Sequence, residues 1–398
     1  MQEVVIVACG RSAVGKAPKG SLRNTRPDDL AAQVLKGTLQ KLPGLDSALI
    51  DDFILGCAFP EAEQGMNMAR TVWLRAGLPD SVSAYTINRF CASGLQAVAS
   101  AANSIMAGQA DMVLAGGVES MSMVPMGGNV PAPNPYLMEH YPQAHISMGI
   151  TAENVAELYG VTRQEQDAFA CDSHIKAFAA QQQGRFDEQI IPVEALQSVT
   201  DEKGKPGIGR FVFDRDEGVR QNISLDGLSK LRPVFKAGGS VTAGNASQTS
   251  DGAAMVLLAS ADKAKELGLR PIARFLSYAT AGVDPALMGI GPIEAIPKAL
   301  RRANVQLRDI GLVELNEAFA SQALACIKTL EIRPEIVNVN GGAIALGHPL
   351  GCTGAFLTTK LLSEMALRGE KYGLVSMCIG GGMGAAAVFE LQSPDRVN

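Results

Sequence analysis

The chain has 398 residues, of which 47% are apolar and 19% charged. That excludes a disordered or fibrous protein and leaves room for two or three compact units of roughly 100–200 residues. Acidic residues outnumber basic ones 40 to 35, for a formal charge of −5, and no basic tract exists that would neutralise nucleic-acid phosphates.

Val4-Val5-Ile6-Val7 is a continuous apolar run, the pattern of a strand buried on both faces. A basic, glycine-containing loop follows from Gly10 to Lys19, and Pro27-Asp28-Asp29 opens a helix near Leu30. Phe53-Ile54-Leu55 reads as a second buried strand ending at Gly56. Strands alternating with helices predict a mostly parallel sheet. Tyr85-Thr86-Ile87 is the next strand. Leu95, Val98, Ala99, Ala102, Ile105 and Met106 then fall at helical spacing, with Gly108 as the stop. Met112–Ala115 is a strand closing in Gly116-Gly117. The segment Asn88–Gly94 is therefore a sharp strand-to-helix turn.

Ser120–Gly149 has no clear period. It holds five prolines, and methionines at 121, 123, 126, 138 and 148. Such a stretch is more often a lid or binding loop than a linker. One helix is predicted from Thr151 to Gly160. A second follows the capping box Thr162-x-x-Glu165 and ends at Gly184, with an inward stripe at Ala168, Cys171, Ile175 and Phe178. Residues 120–250 read as an insertion.

The plan then repeats. Ile272–Leu276 and Leu312–Leu315 are strands, and a helix starts near Pro292. A turn at Gly347–Gly351 leads into a helix from Gly354 to Leu367, and strand Gly373–Met377 closes in Cys378–Gly382. The fold class is α/β: two similar halves packed together, residues 1–270 and 271–398, with a loop and helical insertion in the first.

Seven cysteines, widely spaced and without a C-x-x-C pair, argue against a disulfide framework or a zinc cage. Most should be small buried hydrophobes. Cys91 stands out because it precedes a helix, where unpaired N–H groups favour a thiolate. Its ordinary alternative is a core cysteine. Of the four histidines, His140 and His145 lie in the proline-rich loop and His174 on a helix. His348 is fixed between Gly347 and Pro349. A Cys91–His348 pair fits nucleophile-plus-base acyl transfer, and a turn histidine without a role is the plain alternative. Cys378 enters Cys-Ile-Gly-Gly-Gly-Met-Gly, read either as a glycine loop for a nucleotide or as an oxyanion hole beside a second thiol. Strand-like Ala386–Phe389 after it disfavours the nucleotide reading. Asn316, at a strand end on the same edge, is placed to hold a water or donor.

Together these blocks resemble the thiolase family over essentially the whole chain. Asn88–Ala97 resembles its nucleophile signature and Asn316-Glu317-Ala318-Phe319 its asparagine motif. Asn340–Gly351 resembles the histidine motif, Cys378–Gly384 the second-cysteine motif, and Ala243–Ser247 a coenzyme A-binding loop. The resemblance implies catalysis by Cys91, His348, Cys378, Asn316 and the Gly380 N–H. Cys91 would attack a 3-ketoacyl-CoA, with His348 keeping it as thiolate. Cys378 would protonate the departing acetyl-CoA carbanion and later take the proton of a second CoA. The first oxyanion is given to His348 and an Asn316-held water, and the second to the N–H groups of Cys91 and Gly380. CoA contacts carried over are Arg220, Leu228, Phe235, Ala243, Ser247, Met148, Met288, Ala318 and Phe319. Residues 201–240 add a mild basic bias, eight Lys/Arg against six Asp/Glu, which is also what an ordinary solvated face looks like.

The resemblance needs no metal and no resident cofactor, only coenzyme A as co-substrate. It implies a homodimer or homotetramer, with a hydratase/dehydrogenase of fatty-acid β-oxidation as a further partner. Ser147-Met148-Gly149 stands where biosynthetic acetoacetyl-CoA enzymes typically carry His-Met-Gly, which favours the degradative 3-ketoacyl-CoA group. A ketoacyl synthase would need a histidine at Asn316 and no second cysteine. A non-catalytic CoA- or lipid-binding module is the rival from another class. A nicotinamide dehydrogenase lacks its glycine fingerprint here. The uncharged run Phe90–Ala110 covers 21 residues but carries too many polar side chains for lipid. Met1-Gln2-Glu3 does not start a signal peptide, and Asp395–Asn398 is not a peroxisomal tail, so a cytoplasmic protein is expected.

Overall fold

The computed structural model describes residues 2–200 and 204–392; Met1, residues 201–203 and the tail from 393, including Asp395–Asn398, lie outside the described residues. Strand β1 (Val4–Arg11) is buried along its whole length, as its apolar run dictates. The short β2 (Gly15–Lys16) follows, then α1 (Pro27–Leu39), whose first turn carries Asp28 and Asp29 at the positive end of its dipole. Next come β3 (Asp52–Gly56), α2 (Met68–Arg75), β4 (Ser83–Ile87), α3 (Ser93–Met106) and β5 (Met112–Ser120). The insertion contains α4 (Pro135–His140), α5 (Met148–Leu158), α6 (Arg163–Gln182), the hairpin β6 (Val193–Thr200) and β7 (Pro206–Phe213), and α7 (Leu225–Ser229). Strand β8 (Ser250–Ser260) and α8 (Ala261–Glu266) return the chain to the main sheet. The remainder is β9 (Ala273–Gly282), α9 (Gly291–Ala303), β10 (Leu312–Leu315), α10 (Ala320–Thr329), α11 (Ala343–Leu346), α12 (Thr353–Arg368), β11 (Tyr372–Ile379) and β12 (Met383–Leu391).

The main strands run in the order β10-β11-β12-β9-β1-β8-β5-β3-β4. Read outward from its centre, each side repeats the other. The sequence β1-β8-β5-β3 on one side matches β9-β12-β11-β10 on the other. Where β4 lies parallel to β3, Val337 makes a parallel bridge to Val313 of β10. The two sides join at β1 and β9, through Val5↔Arg274 and Ile6↔Ala273.

The expectation of a mostly parallel sheet needs correction. Parallel pairing occurs at β3–β4, β3–β5 and β10–β11, whereas β1–β8, β1–β9, β5–β8, β9–β12 and β11–β12 are antiparallel. The cause is local at β11–β12. A tight turn at Gly381 and Gly382, both near φ +81°, sends the chain straight back, and a tight turn can join only antiparallel neighbours.

Alternate residues of β1 feed different cores. Val4 and Ile6 pack with α3 and α12, while Val5 and Val7 pack with α1 and α2. On the other side α9 and α10 cover the outer face. Helices α3 and α12 thus lie in the middle, between two sheet segments, with the outer helices beyond. No helix among the described residues is long and apolar enough to cross a membrane.

Three local readings change. Strand β5 does not stop at Gly116-Gly117 but runs through them to Ser120. Those glycines mark close approaches, since a Cβ on Gly117 would lie 2.1 Å from the Gly351 carbonyl oxygen. Helix α5 begins at Met148, ahead of Thr151. The buried face of α6 is Gln166, Asp167, Ala170, Cys171, Ser173, His174, Ala177 and Ala180, while Ala168 and Ile175 are exposed. That face is polar because it hydrogen-bonds the elements around the site. Ser173 Oγ donates to Glu317 at 2.7 Å, and Asn245 Nδ2 to Asp167 at 3.0 Å.

Candidate active site

Two helix N-termini carry the site. Cys91 lies in a single tight turn, Phe90–Ala92, directly ahead of α3. Phe90 has φ 42°, a left-handed conformation that is strained for an aromatic residue. The surroundings hold it there. Asn88 Oδ1 accepts the Phe90 N–H at 2.8 Å, while Ser93 Oγ donates to the Phe90 carbonyl at 2.7 Å and accepts the Arg89 N–H at 2.8 Å. His348 lies in the turn ahead of α12, which starts at Thr353. Its N–H donates to the Gln248 carbonyl and to Ser250 Oγ, both at 3.1 Å.

Cys91 and His348 line one cavity of about 150 Å³. Met148, Phe235, Ser247, Met288, Ala318 and Phe319 line it too. The segment at Ala246 bridges to Phe319, and Ser247 N–H donates to the Ala318 carbonyl at 2.9 Å, so the glycine-alanine loop and the asparagine motif form one wall. Phe235 meets Phe319 edge-on at 6.2 Å, and its ring fills the space that a side chain at Gly149 would need.

Three expected residues sit just behind this lining. Cys378, fully buried near the end of β11, packs with Met148, Met288, Ala318 and Phe319. Burial pushes its thiol pKa well up, and a negative charge on Cys91 would push it further. The backbone N–H groups of Gly380 and of Cys91 itself act on the Cys91 sulfur and favour its anion. Asn316 Nδ2 lies 3.3 Å from His348 Nε2, and its Oδ1 is buried without a partner. Arg220, Leu228 and Ala243 do not line the cavity. Leu228 is buried among Ala170, Cys171, Ala320 and Ile344. Ala243 is exposed, and the Arg220 N–H donates to His174 Nδ1 at 3.1 Å.

The electrostatics differ from the thiolate expected at this turn. Burial pushes the Cys91 thiol up to about 11, even though the N–H groups of Gly380 and Cys91 pull it down. Burial pushes His348 down to about 4. The resting pair is therefore a neutral thiol and a neutral imidazole. Desolvation outweighs the helix end, because a site this dry penalises either charge. Attack by Cys91 then requires transfer of its proton to His348.

Several residues that build the cavity had no distinctive sequence signal. Met121 and Met126 line it from the aperiodic loop, and Gln248, Thr249 and Leu350 line it from elsewhere in the chain. Glu119 of β5 is buried beneath it. Its Oε2 accepts the N–H groups of Ala58 at 2.8 Å and Gly351 at 2.7 Å, and its Oε1 accepts Gln64 Nε2 at 2.7 Å and the Phe59 N–H at 3.3 Å. Thr353, the first residue of α12, hydrogen-bonds the His348 ring. All seven cysteines are buried and unpaired, so Cys91 is distinguished by its turn and cavity, not by exposure.

A buried thiol, an imidazole on the same cavity and backbone N–H groups that favour the sulfur anion are equipment for acyl transfer through a cysteine thioester. Comparison with known families agrees. The thiolase N-terminal domain model matches residues 4–262 and the thiolase C-terminal domain model residues 269–391. The chain belongs to the thiolase family. It is 58% identical to the 3-ketoacyl-CoA thiolase of Bacillus subtilis over 391 residues, covering 98% of this chain and all of that one. A 3-ketoacyl-CoA thiolase of Vibrio vulnificus is 46% identical over 395 residues, 98% of this chain and all of that protein. The crystal structure of the Bacillus anthracis acetyl-CoA acetyltransferase superposes with a TM-score of 0.88 at 43% identity, covering 98% of this chain and 99% of that one.

Proposed function

We propose that this chain is a 3-ketoacyl-CoA thiolase, an acetyl-CoA C-acyltransferase that cleaves 3-ketoacyl-CoA with CoA. The products are acetyl-CoA and an acyl-CoA two carbons shorter. The observation that carries the reading is the shared cavity of Cys91 and His348, with Cys378 packed against its wall.

In this mechanism Cys91 gives its proton to His348 as its sulfur attacks the 3-keto carbon. The C2–C3 bond then breaks, and its electron pair stays on C2. The Cys378 thiol protonates that carbon, and acetyl-CoA leaves an acyl group on Cys91. The thiol of a second CoA gives its proton to Cys378 and attacks the thioester. Cys91 departs as thiolate and recovers its proton from His348. Both tetrahedral oxyanions form on the carbon bonded to Sγ, and the Gly380 and Cys91 N–H groups that act on that sulfur favour assigning both to them. This reading differs from the assignment of the first oxyanion to His348 and an Asn316-held water. The His348–Asn316 side is then left to the enolate oxygen of the departing acetyl-CoA.

CoA is held as a co-substrate along the wall of Phe235, Ser247 and Phe319, with Met148, Met288 and Ala318 around the acyl end. Arg220, Leu228 and Ala243 act further out, Leu228 by shaping the loop from beneath. We read residues 1–270 and 271–398 as the two units, the protein as a cytoplasmic homodimer or homotetramer, and its place as fatty-acid β-oxidation beside a hydratase/dehydrogenase.

Intact-mass measurement after adding 3-ketoacyl-CoA tests the chemistry. The wild type should gain one acyl group and Cys91→Ala none. Absence of the adduct in the wild type overturns the enzyme reading in favour of a binding module. Thiolysis rates across chain lengths test the subgroup. Turnover of acetoacetyl-CoA alone would instead support an acetyl-CoA acetyltransferase, the name carried by the Bacillus anthracis structure.

A further inference from the structure

An imidazole can act as a base only through the nitrogen that carries no proton, and the two ring nitrogens of His348 have different partners. Nδ1 lies 2.6 Å from Thr353 Oγ1, and Nε2 lies 3.3 Å from Asn316 Nδ2. A threonine hydroxyl has one hydrogen to give and two lone pairs to receive with. Thr353 Oγ1 has the Pro349 carbonyl one helical turn back at 2.9 Å, and that oxygen, which also takes the Cys352 and Thr353 N–H groups, can only accept, so it draws the hydroxyl hydrogen away from the ring. Oγ1 is left to accept at the ring, so Nδ1 carries the proton. On the other side Asn316 Nδ2 presents a donor, which fits an unprotonated Nε2. Two partners on different segments, the residue after β10 and the first residue of α12, thus call for the same tautomer.

We propose that Thr353 is a positioning residue for the thiolase reaction: it holds His348 as the Nδ1–H tautomer, so that Nε2 carries the lone pair that takes the Cys91 proton. The proposal rests on the acyl-transfer reading above. Thr353 takes the place that a buried carboxylate occupies behind the histidine of many catalytic triads, but without a charge. Around the ring the ionisable groups are Cys91 across the cavity and Cys352 beside Thr353, both buried thiols, with Glu119 held on the Gly351 N–H. A neutral acceptor fixes the tautomer and orientation without pairing an anion to the imidazolium. When Nε2 takes the Cys91 proton, Nδ1 keeps its own and still donates to Oγ1. No proton need pass to Thr353.

The test uses the full-length protein labelled with ¹⁵N-histidine, with His348→Asn identifying the signal. In the wild type near neutral pH, His348 should show a protonated Nδ1 and an unprotonated Nε2. The opposite tautomer in the wild type overturns the proposal without any need for a Thr353 variant. Thr353→Val keeps the shape and removes the acceptor. It should shift the ring toward the Nε2–H form and lower kcat/KM about 10²-fold, the usual weight of one acid–base group. Thr353→Ser should restore both the tautomer and the rate to within a few fold. A folded Thr353→Val enzyme with wild-type acylation rate and unchanged tautomer also overturns it. Acylation of the wild type at Cys91, read by mass, keeps this outcome distinct from failure of the thiolase assignment.

Discussion

Leu95 and Gly354 touch backbone to backbone: a methyl group built on Gly354 would lie 2.0 Å from the amide nitrogen of Leu95. The contact is reciprocal, since a methyl on Gly94 would lie 2.8 Å from the amide nitrogen of Ala355. The N-terminal turns of α3 and α12 therefore cross with no side chain between them. This crossing brings the turn of Cys91 and the turn of His348 to one cavity. Gly354→Ala should cost about 3 kcal/mol or more, since neither backbone can give way. Gly282, with nothing within 4 Å of its missing methyl, is the control. Gly282→Ala should stay within about 0.5 kcal/mol of wild type. Urea midpoints at constant m-value read both.

Glu119→Gln probes the support beneath the cavity. The carboxylate accepts four N–H donors, from Ala58, Phe59, Gln64 and Gly351. An amide must turn an NH₂ group toward at least one of them. The expected cost is about 3 kcal/mol, with a lowered acylation rate because Gly351 follows His348 by three residues. Glu119→Gln with unchanged melting temperature and rate would refute the support role.

Stability should respond to acid through His174. Burial, with Arg220 and Lys16 nearby, pushes this histidine down to about 4. The unfolded chain protonates it near 6.5, so between about 6.5 and 4 the unfolded state binds more protons than the folded one. Stability is therefore lost as pH falls through that window. Asp251 works in the opposite sense, because burial pushes it up to about 6 and the folded state takes its proton first. The clean readout is thus a difference. His174→Asn should be less stable than wild type at pH 7.5, and the gap should shrink or reverse by pH 4.5, a change of up to about 3 kcal/mol.

The rate of acylation has its own acid limit. The competent base is neutral His348, and burial alone sets it at about 4. Single-turnover acylation should stay level from pH 7 to near pH 5 and fall only below that. A midpoint near 6.5 would mean that the imidazole is solvated, contrary to its 4% exposure.

The sequence is legible where apolar runs are bounded by turns, as at Val4–Val7, Phe53–Leu55 and Leu312–Leu315, all of which are strands. It is opaque at β8. Ser250-Asp251-Gly252 begins like a turn, and Ala, Met and Leu follow with Val256 as the single β-branched residue. Burial on both faces also removes any alternation. Gly116-Gly117 misleads in another way, because glycine marks a strand end and a backbone approach with the same letter. At the site, Cys91 and His348 are legible because each stands at a turn before a helix. Thr353 and Glu119 are not. One is an ordinary helix residue and the other an ordinary strand acid until the fold shows what each hydrogen-bonds.

Glu119 Oε2 accepts one N–H from the loop after β3 and another from the loop after His348. A single oxygen atom is thus the rivet between stretches of polypeptide that synthesis delivers far apart in time. In the folded chain it joins the two, and without the later stretch the Gly351 N–H, one of its donors, is missing. The same oxygen that ties the two stretches together also fixes the loop that follows His348.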